Sequence, residues 1–229
     1  LNVGILAIAF GRHLDLSLDE LEMLGMCGML HDVGKLKVDQ KILDKPARLS
    51  EDEFALIKEH CRIGKDILSE DENMPDVVIE AAFGHHERMD GGGYPRGVRA
   101  NSLNLYTRMI SIVDTYDAIT TNRCYDKSRP ATEAIKILFS CRNTQFEPIL
   151  VEKFIECLGI YPTGSLVELK TGEGAVVIDS NKNSRLNPKV SIVLDEEKHS
   201  RSPLVVDTSA ENSYESERTI KRVLDENDY

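Results

Sequence analysis

The stretch S-L-D-E-L-E-M-L-G-M-C-G-M-L-H-D-V-G-K, residues 17 to 35, decides the fold. It opens on Ser17 with Glu20 three positions later, a capping box whose two side chains satisfy free N–H groups at a helix start. Leu18, Leu21, Leu24, Met26, Cys27 and Leu30 then recur at helical spacing. That apolar face runs straight into His31-Asp32, so the helix delivers an imidazole and a carboxylate at its end.

The same grammar repeats outward. Ser50 and Glu53 form a second capping box ahead of Phe54, Ile57, Cys61 and Ile63, with His60 among them. Further helices are predicted at 75–86, 103–122, 131–141 and 148–158, with Pro75 and Pro148 as early-helix residues. Character changes at Gly159. The runs SLVELK, GAVVID and KVSIVLD are short and Val/Ile-rich, with Gly, Asn and Pro between them, and predict a small β meander. Residues 195–217 are polar and read as loop, and SERTIKRVLDEN reads as a closing helix. The expected organisation is a mainly α domain over 1–159 and a small β-rich extension over 160–229, with no internal repeat.

Composition narrows the function. A chain of 229 residues, 41% hydrophobic, supports one substantial core or one domain with an appendage. No run approaches the length and apolarity of a membrane span. Five cysteines are dispersed without a CxxC pair, which excludes zinc-finger and thioredoxin-like spacing and suggests reduced thiols in the cytoplasm. The chain opens on Leu1 without a leader and reads as a piece whose natural N-terminal part is absent. A net charge of −11 repels nucleic-acid backbones, so DNA or RNA binding is not expected. A phosphate-ester substrate would then need local positive charge, which bound divalent metals supply.

The histidines stand at positions 13, 31, 60, 85, 86 and 199. His13 and His199 lack a motif and read as ordinary side chains. The others fall beside carboxylates or glycines, most densely in H-H-E-R-M-D-G-G-G-Y-P, residues 85 to 95. Asp114 and Asp117, three apart, share a helical face. Imidazole and carboxylate together form the ligand set of Fe, Mn, Zn or Ni. Two oxygens on Asp32 suit bridging, and His85 and His86 would diverge by about 100° on a helix, which suits neighbouring ions. Paired metals are a standard device for in-line displacement at phosphorus.

HDVGK (31–35), His60, HHE (85–87), DGGGYP (90–95) and Asp114 together resemble the HD-GYP family, a branch of the HD metal-dependent phosphohydrolases. The resemblance runs from residue 1 to about 160. It implies an all-helical HD bundle and hydrolysis of cyclic di-GMP to pGpG and onward to GMP, with some members acting on 3′,3′-cyclic GMP-AMP. It implies two or three divalent ions, iron or manganese foremost. By position, His31, Asp32, His60, His85, His86 and Asp114 become metal ligands, and Asp32 is catalytic through the metals it holds. Lys35 contacts the scissile phosphate or protonates the leaving oxygen. Asp117 and Arg123 fall in the substrate site, with Gly92, Gly93 and Tyr94 on its border. A sensory or regulatory region upstream is implied as well. A homodimer through the extension stays open, as does a weakly active module that docks a diguanylate cyclase domain through the GYP loop.

This chain departs from the family in three places, the mildest being the run Gly91-Gly92-Gly93, where the family often has a polar residue among the loop glycines. The family's first-helix histidine, and the glutamate before it in trinuclear members, align ahead of Leu1. Where the family commonly has Arg-Pro-Tyr and then a basic residue, Arg123 is followed by Cys124, Tyr125 and Asp126.

Overall fold

The computed structural model describes residues 1–99, 102–121, 129–179, 181, 187–209 and 218–224. The chain forms two compact units, one of 1–129 and 137–157, the other of 130–136 and 158–229.

The first unit is helical. Its elements are α1 (Asn2–His13), α2 (Leu18–Leu30), a 3-10 helix (Val33–Lys37), α3 (Gln40–Leu43), α4 (Glu51–Lys58), α5 (His60–Leu68), α6 (Asp76–Gly84) and α7 (Leu105–Thr120). α8 (Ala131–Cys141), which crosses the boundary between the units, and α9 (Pro148–Leu158) follow. Both capping boxes form, with Ser17 and Ser50 each accepting from the backbone of the glutamate three residues on. The apolar run after Ser50 is not one helix. It breaks at Glu59, and α5 starts on His60, which is fully buried.

Packing around the future site depends on missing side chains. A Cβ on Gly28 would lie 2.7 Å from Gly4 Cα, so α1 and α2 meet backbone to backbone. A Cβ on Gly34 would overlap the His60 carbonyl oxygen. The glycine of HDVGK therefore lets the 3-10 helix press on the start of α5, bringing His60 to Asp32. The core of this unit is apolar and closed. Phe10, Leu24, Met109, Ile110 and Phe154 are fully buried, and Phe10 meets Phe154 edge to face at 5.1 Å. Each such side chain contributes roughly 1.5–3 kcal/mol of hydrophobic stabilisation, and together they hold the helices that carry the histidines.

The second unit is a five-stranded antiparallel sheet of order β4-β3-β2-β1-β5. The three predicted runs form β1 (Leu166–Leu169), β2 (Gly174–Asp179) and β3 (Lys189–Leu194). Two expectations fail here. The polar stretch expected as loop contains β4 (Ser200–Asp207), paired with β3 through Val190↔Val206 and Ile192↔Leu204. It looked unstructured because an edge strand exposes most of its residues to water. The expected closing helix is instead β5 (Ile220–Val223), paired with β1 through Val167↔Val223. Packing of Ile220 and Val223 against the sheet core overrides the local pattern.

Candidate metal centre

Four segments converge on one point. α2 ends on His31, and Asp32 opens the 3-10 helix. His60 begins α5, His85 caps α6 with His86 next to it, and Asp114 lies within α7. The backbone aims three of the imidazoles. Nδ1 of His31 lies 2.9 Å from the Gly28 carbonyl, and Nδ1 of His60 lies 2.6 Å from that of Ile57. Nδ1 of His85 lies 3.1 Å from both the Ala81 and Ala82 carbonyls. A ring that donates from Nδ1 to a carbonyl turns Nε2 toward whatever lies opposite, the usual support of a metal-ligating histidine.

What lies opposite is carboxylate. His31 Nε2 is 3.3 Å from Asp32 Oδ2 and 3.6 Å from Asp114 Oδ1. His60 and His85 place their Nε2 atoms 3.4 and 3.7 Å from Asp32 Oδ1. Two groups of potential ligands result, Asp32 with His60, His85 and His86, and His31 with His85 and Asp114. The two oxygens of Asp32 face different histidines, as bridging requires. His85 and His86 do not divide one per group, because they stand at and beyond the last turn of α6 rather than on a continuing helix.

The residues fit a divalent metal. His31 Nε2 and Asp32 Oδ1 are buried and make no hydrogen bond, whereas polar atoms at that depth are normally paired. Charge points the same way. Burial, then the neighbouring His85, push the His60 and His86 pKa values down to about 4 and about 2, which keeps both rings neutral. At His31 burial also opposes charge, but Asp114 and Asp32 outweigh it and raise the pKa to about 10. Asp32 and Asp114 resist the upward pull of burial and are held well below the usual carboxylate range, His31 being the largest lowering influence on each. Two ionised carboxylates around a proton held on His31 form a site that attracts cations.

Around this centre the predicted substrate residues separate. Lys35 Nζ donates to Asp32 Oδ2 at 2.6 Å. Tyr94 stacks on His86 with ring centroids 4.8 Å apart. Lys35 and His86 line both a cleft of about 780 Å³ toward α3 and α4 and a second of about 330 Å³ against α7. Asp117 stands apart from the cluster and accepts from the Thr121 hydroxyl at 3.2 Å. Gly93 is pressed on the chain before it, since a Cβ there would lie 2.5 Å from the His86 carbonyl oxygen. Gly92 donates its N–H to Asp90. Arg123 and Asp126 lie outside the described residues. His13 approaches Glu156 at 3.7 Å, and His199 is exposed beside Asp195 and Glu197.

One residue of the motif stands in the sequence reading without a role of its own, and it is not among the clustered ligands. Glu87, third of HHE, is buried and accepts from the N–H groups of Arg96 at 2.7 Å and Val98 at 3.2 Å. It holds the far side of the DGGGYP loop and thereby the chain that carries Tyr94. Its position directly after two histidines was the available signal.

The model for the HD domain family matches residues 3–150. The chain is also 38% identical over 190 residues to a cyclic di-GMP phosphodiesterase of Pseudomonas aeruginosa, covering 83% of this chain and 46% of that protein. This chain belongs to the HD-GYP family. The HD-GYP chain is 32% identical over 161 residues to the 3′3′-cGAMP-specific phosphodiesterase 3 of Vibrio cholerae, covering 70% of itself and 35% of that protein. It thus spans less than half the length of these curated relatives. Among solved structures, an HDG"Y"P protein from Bdellovibrio bacteriovorus superposes with a TM-score of 0.57 at 21% identity. That match covers 67% of this chain and 49% of that one, and shows the shared fold.

Proposed function

We propose that this chain is a metal-dependent phosphodiesterase that opens a cyclic dinucleotide, cyclic di-GMP foremost, to the linear dinucleotide and on to the mononucleotide. The observation that carries this reading is the pair of buried atoms without a hydrogen bond, His31 Nε2 and Asp32 Oδ1, with the Lys35 ammonium on the other oxygen of Asp32. Two or three divalent ions, iron or manganese, are assigned to His31, Asp32, His60, His85, His86 and Asp114. When bound, such ions stabilise charge on a phosphoryl group and lower the pKa of a water.

The protein's own groups supply the rest. Asp32 directs its oxygens to opposite histidines, and the carbonyl contacts at Nδ1 keep the rings from turning. Lys35 reaches the same carboxylate from outside, where an ammonium can donate to a phosphoryl oxygen or to the departing 3′ oxygen. That oxygen leaves as a hydroxyl while a water oxygen takes its place on phosphorus. In a chain of net charge −11, this lysine is a local positive charge at the position where a phosphate must enter.

The relative named for cyclic GMP-AMP favours a second substrate of the same class. Other parts of the reading are a helical catalytic domain over 1–159 and an extension over 160–229 that is open to dimerisation. A cytoplasmic setting, an upstream regulatory region and a diguanylate cyclase docked on the exposed turn of the GYP loop complete it. The test is direct. The protein, loaded anaerobically with Fe²⁺ or Mn²⁺, is incubated with cyclic di-GMP and with 3′,3′-cyclic GMP-AMP, and products are resolved by chromatography. Linear dinucleotide or mononucleotide is expected from one or both, and no product with either metal would refute the reading.

A further inference from the structure

We infer that the larger cleft is a guanine-reading pocket and that Arg48 determines its choice of base. The inference rests on the cyclic-dinucleotide reading for what lies at the cleft's inner end. That end is made by Lys35, His60 and His86, so a phosphate held at the metal centre would have its nucleoside enter here. A volume of about 780 Å³ falls within the range of small-molecule pockets. Its walls include Ile42, Leu43, Leu49, Phe54 and Ile57, apolar surfaces that accept the flat face of a purine without regard to its edge.

Edge recognition must come from polar groups that are free to act. Three cations line the cleft. Lys35 is bound to Asp32, and Lys45 is held by both oxygens of Glu53 at 2.7 Å. Arg48 is exposed and makes no hydrogen bond or ion pair among the described residues. A guanidinium offers donors only. Guanine presents two acceptors side by side, O6 and N7, and takes both arms of the fork. Adenine presents N7 next to an N6 amino donor, so one arm would face another donor. The carboxylates of the cleft do not discriminate, since either purine offers an amino donor, and Asp44 already accepts from the Gln40 side-chain amide at 2.7 Å. Base choice therefore rests on the Arg48 fork.

The experiment measures binding of GMP and of AMP to the metal-loaded protein by calorimetry. Neither mononucleotide has a diester to hydrolyse, so the result does not depend on turnover. GMP is expected to bind about ten- to a hundredfold more tightly than AMP, the discrimination typical of one bidentate contact. Arg48→Ala should bring the ratio close to one, and Arg48→Lys, which keeps the charge but loses the fork, should lose most of it. Undetectable GMP binding, a wild-type ratio near one, or a ratio preserved in Arg48→Ala would each overturn the inference. A guanine preference that vanishes in Arg48→Ala in a protein that hydrolyses no cyclic dinucleotide would leave the pocket standing and remove only the phosphodiesterase reading.

Discussion

The two units bury acidic side chains in opposite ways. In the sheet, Glu168 receives Lys221 at 2.9 Å and Arg222 at 2.8 Å, while Glu173 receives Arg201 at 2.9 Å and Arg218 at 3.1 Å. Each buried carboxylate there is answered by two cations from neighbouring chain. In the helical unit, Asp32 Oδ2 receives Lys35 and faces His31, while Oδ1 faces His60 and His85 without a hydrogen bond. Both arrangements survive burial, but only the first is complete within the protein. A satisfied buried acid holds a fold together, whereas a buried carboxylate oxygen that faces imidazoles without a hydrogen bond suits coordination to a cation.

Removing Lys35 should produce the largest effect that leaves metal in place. Lys35→Ala is expected to retain its metal and cyclic di-GMP binding while turnover falls by about 10²–10⁴, the usual worth of a positioned proton donor. Single-turnover rates alongside metal analysis measure this, and unchanged turnover would make Lys35 a mere partner of Asp32.

Proton release sharpens the contrast next. With a pKa near 10, His31 carries its proton at pH 7 in the metal-free protein, and a cation arriving at Nε2 must displace it. Metal affinity should therefore rise by up to about tenfold per pH unit between pH 7 and 9, with about one proton released from this group. Calorimetry in buffers of different ionisation enthalpy reads that number. The sign for stability is the reverse. The charged His31 stabilises the metal-free fold fully below its ordinary value of 6.5, and that contribution is lost as pH rises through about 10.

Smaller effects separate the two units. Gly34→Ala forces a methyl against the His60 carbonyl and should cost about 1–3 kcal/mol in thermal unfolding while weakening metal binding. Glu173→Gln, by contrast, should destabilise the sheet by about 1–3 kcal/mol and leave metal content unchanged. Loss of metal in the Glu173 variant would break the distinction between structural and functional acids.

Local signals carried much of this. Ser17 and Ser50 announced their helices because a capping box is written within four residues, and His31-Asp32 stood out because an apolar face leads into it. The break at Glu59 was not legible, since it depends on how α5 meets the 3-10 helix through Gly34. β4 and β5 were missed for the same kind of reason. Their pairing partners lie elsewhere in the chain, and an edge strand shows little apolar alternation. The six candidate ligands could be named one by one, but not which share a point or which Asp32 oxygen each faces. The base cleft was invisible, because it comes from helices α3 and α4 closing over residues such as Ile42 and Phe54 that look like ordinary helix faces.

The central claim is that the unsatisfied acids and imidazoles of the helical unit are one metal centre. Metal content and cyclic di-GMP turnover of His31→Ala, Asp32→Ala and Asp114→Asn, measured side by side with the unaltered protein, test it most directly. Each variant is predicted to lose bound metal and nearly all turnover while remaining folded by circular dichroism; full metal occupancy in all three would contradict the account.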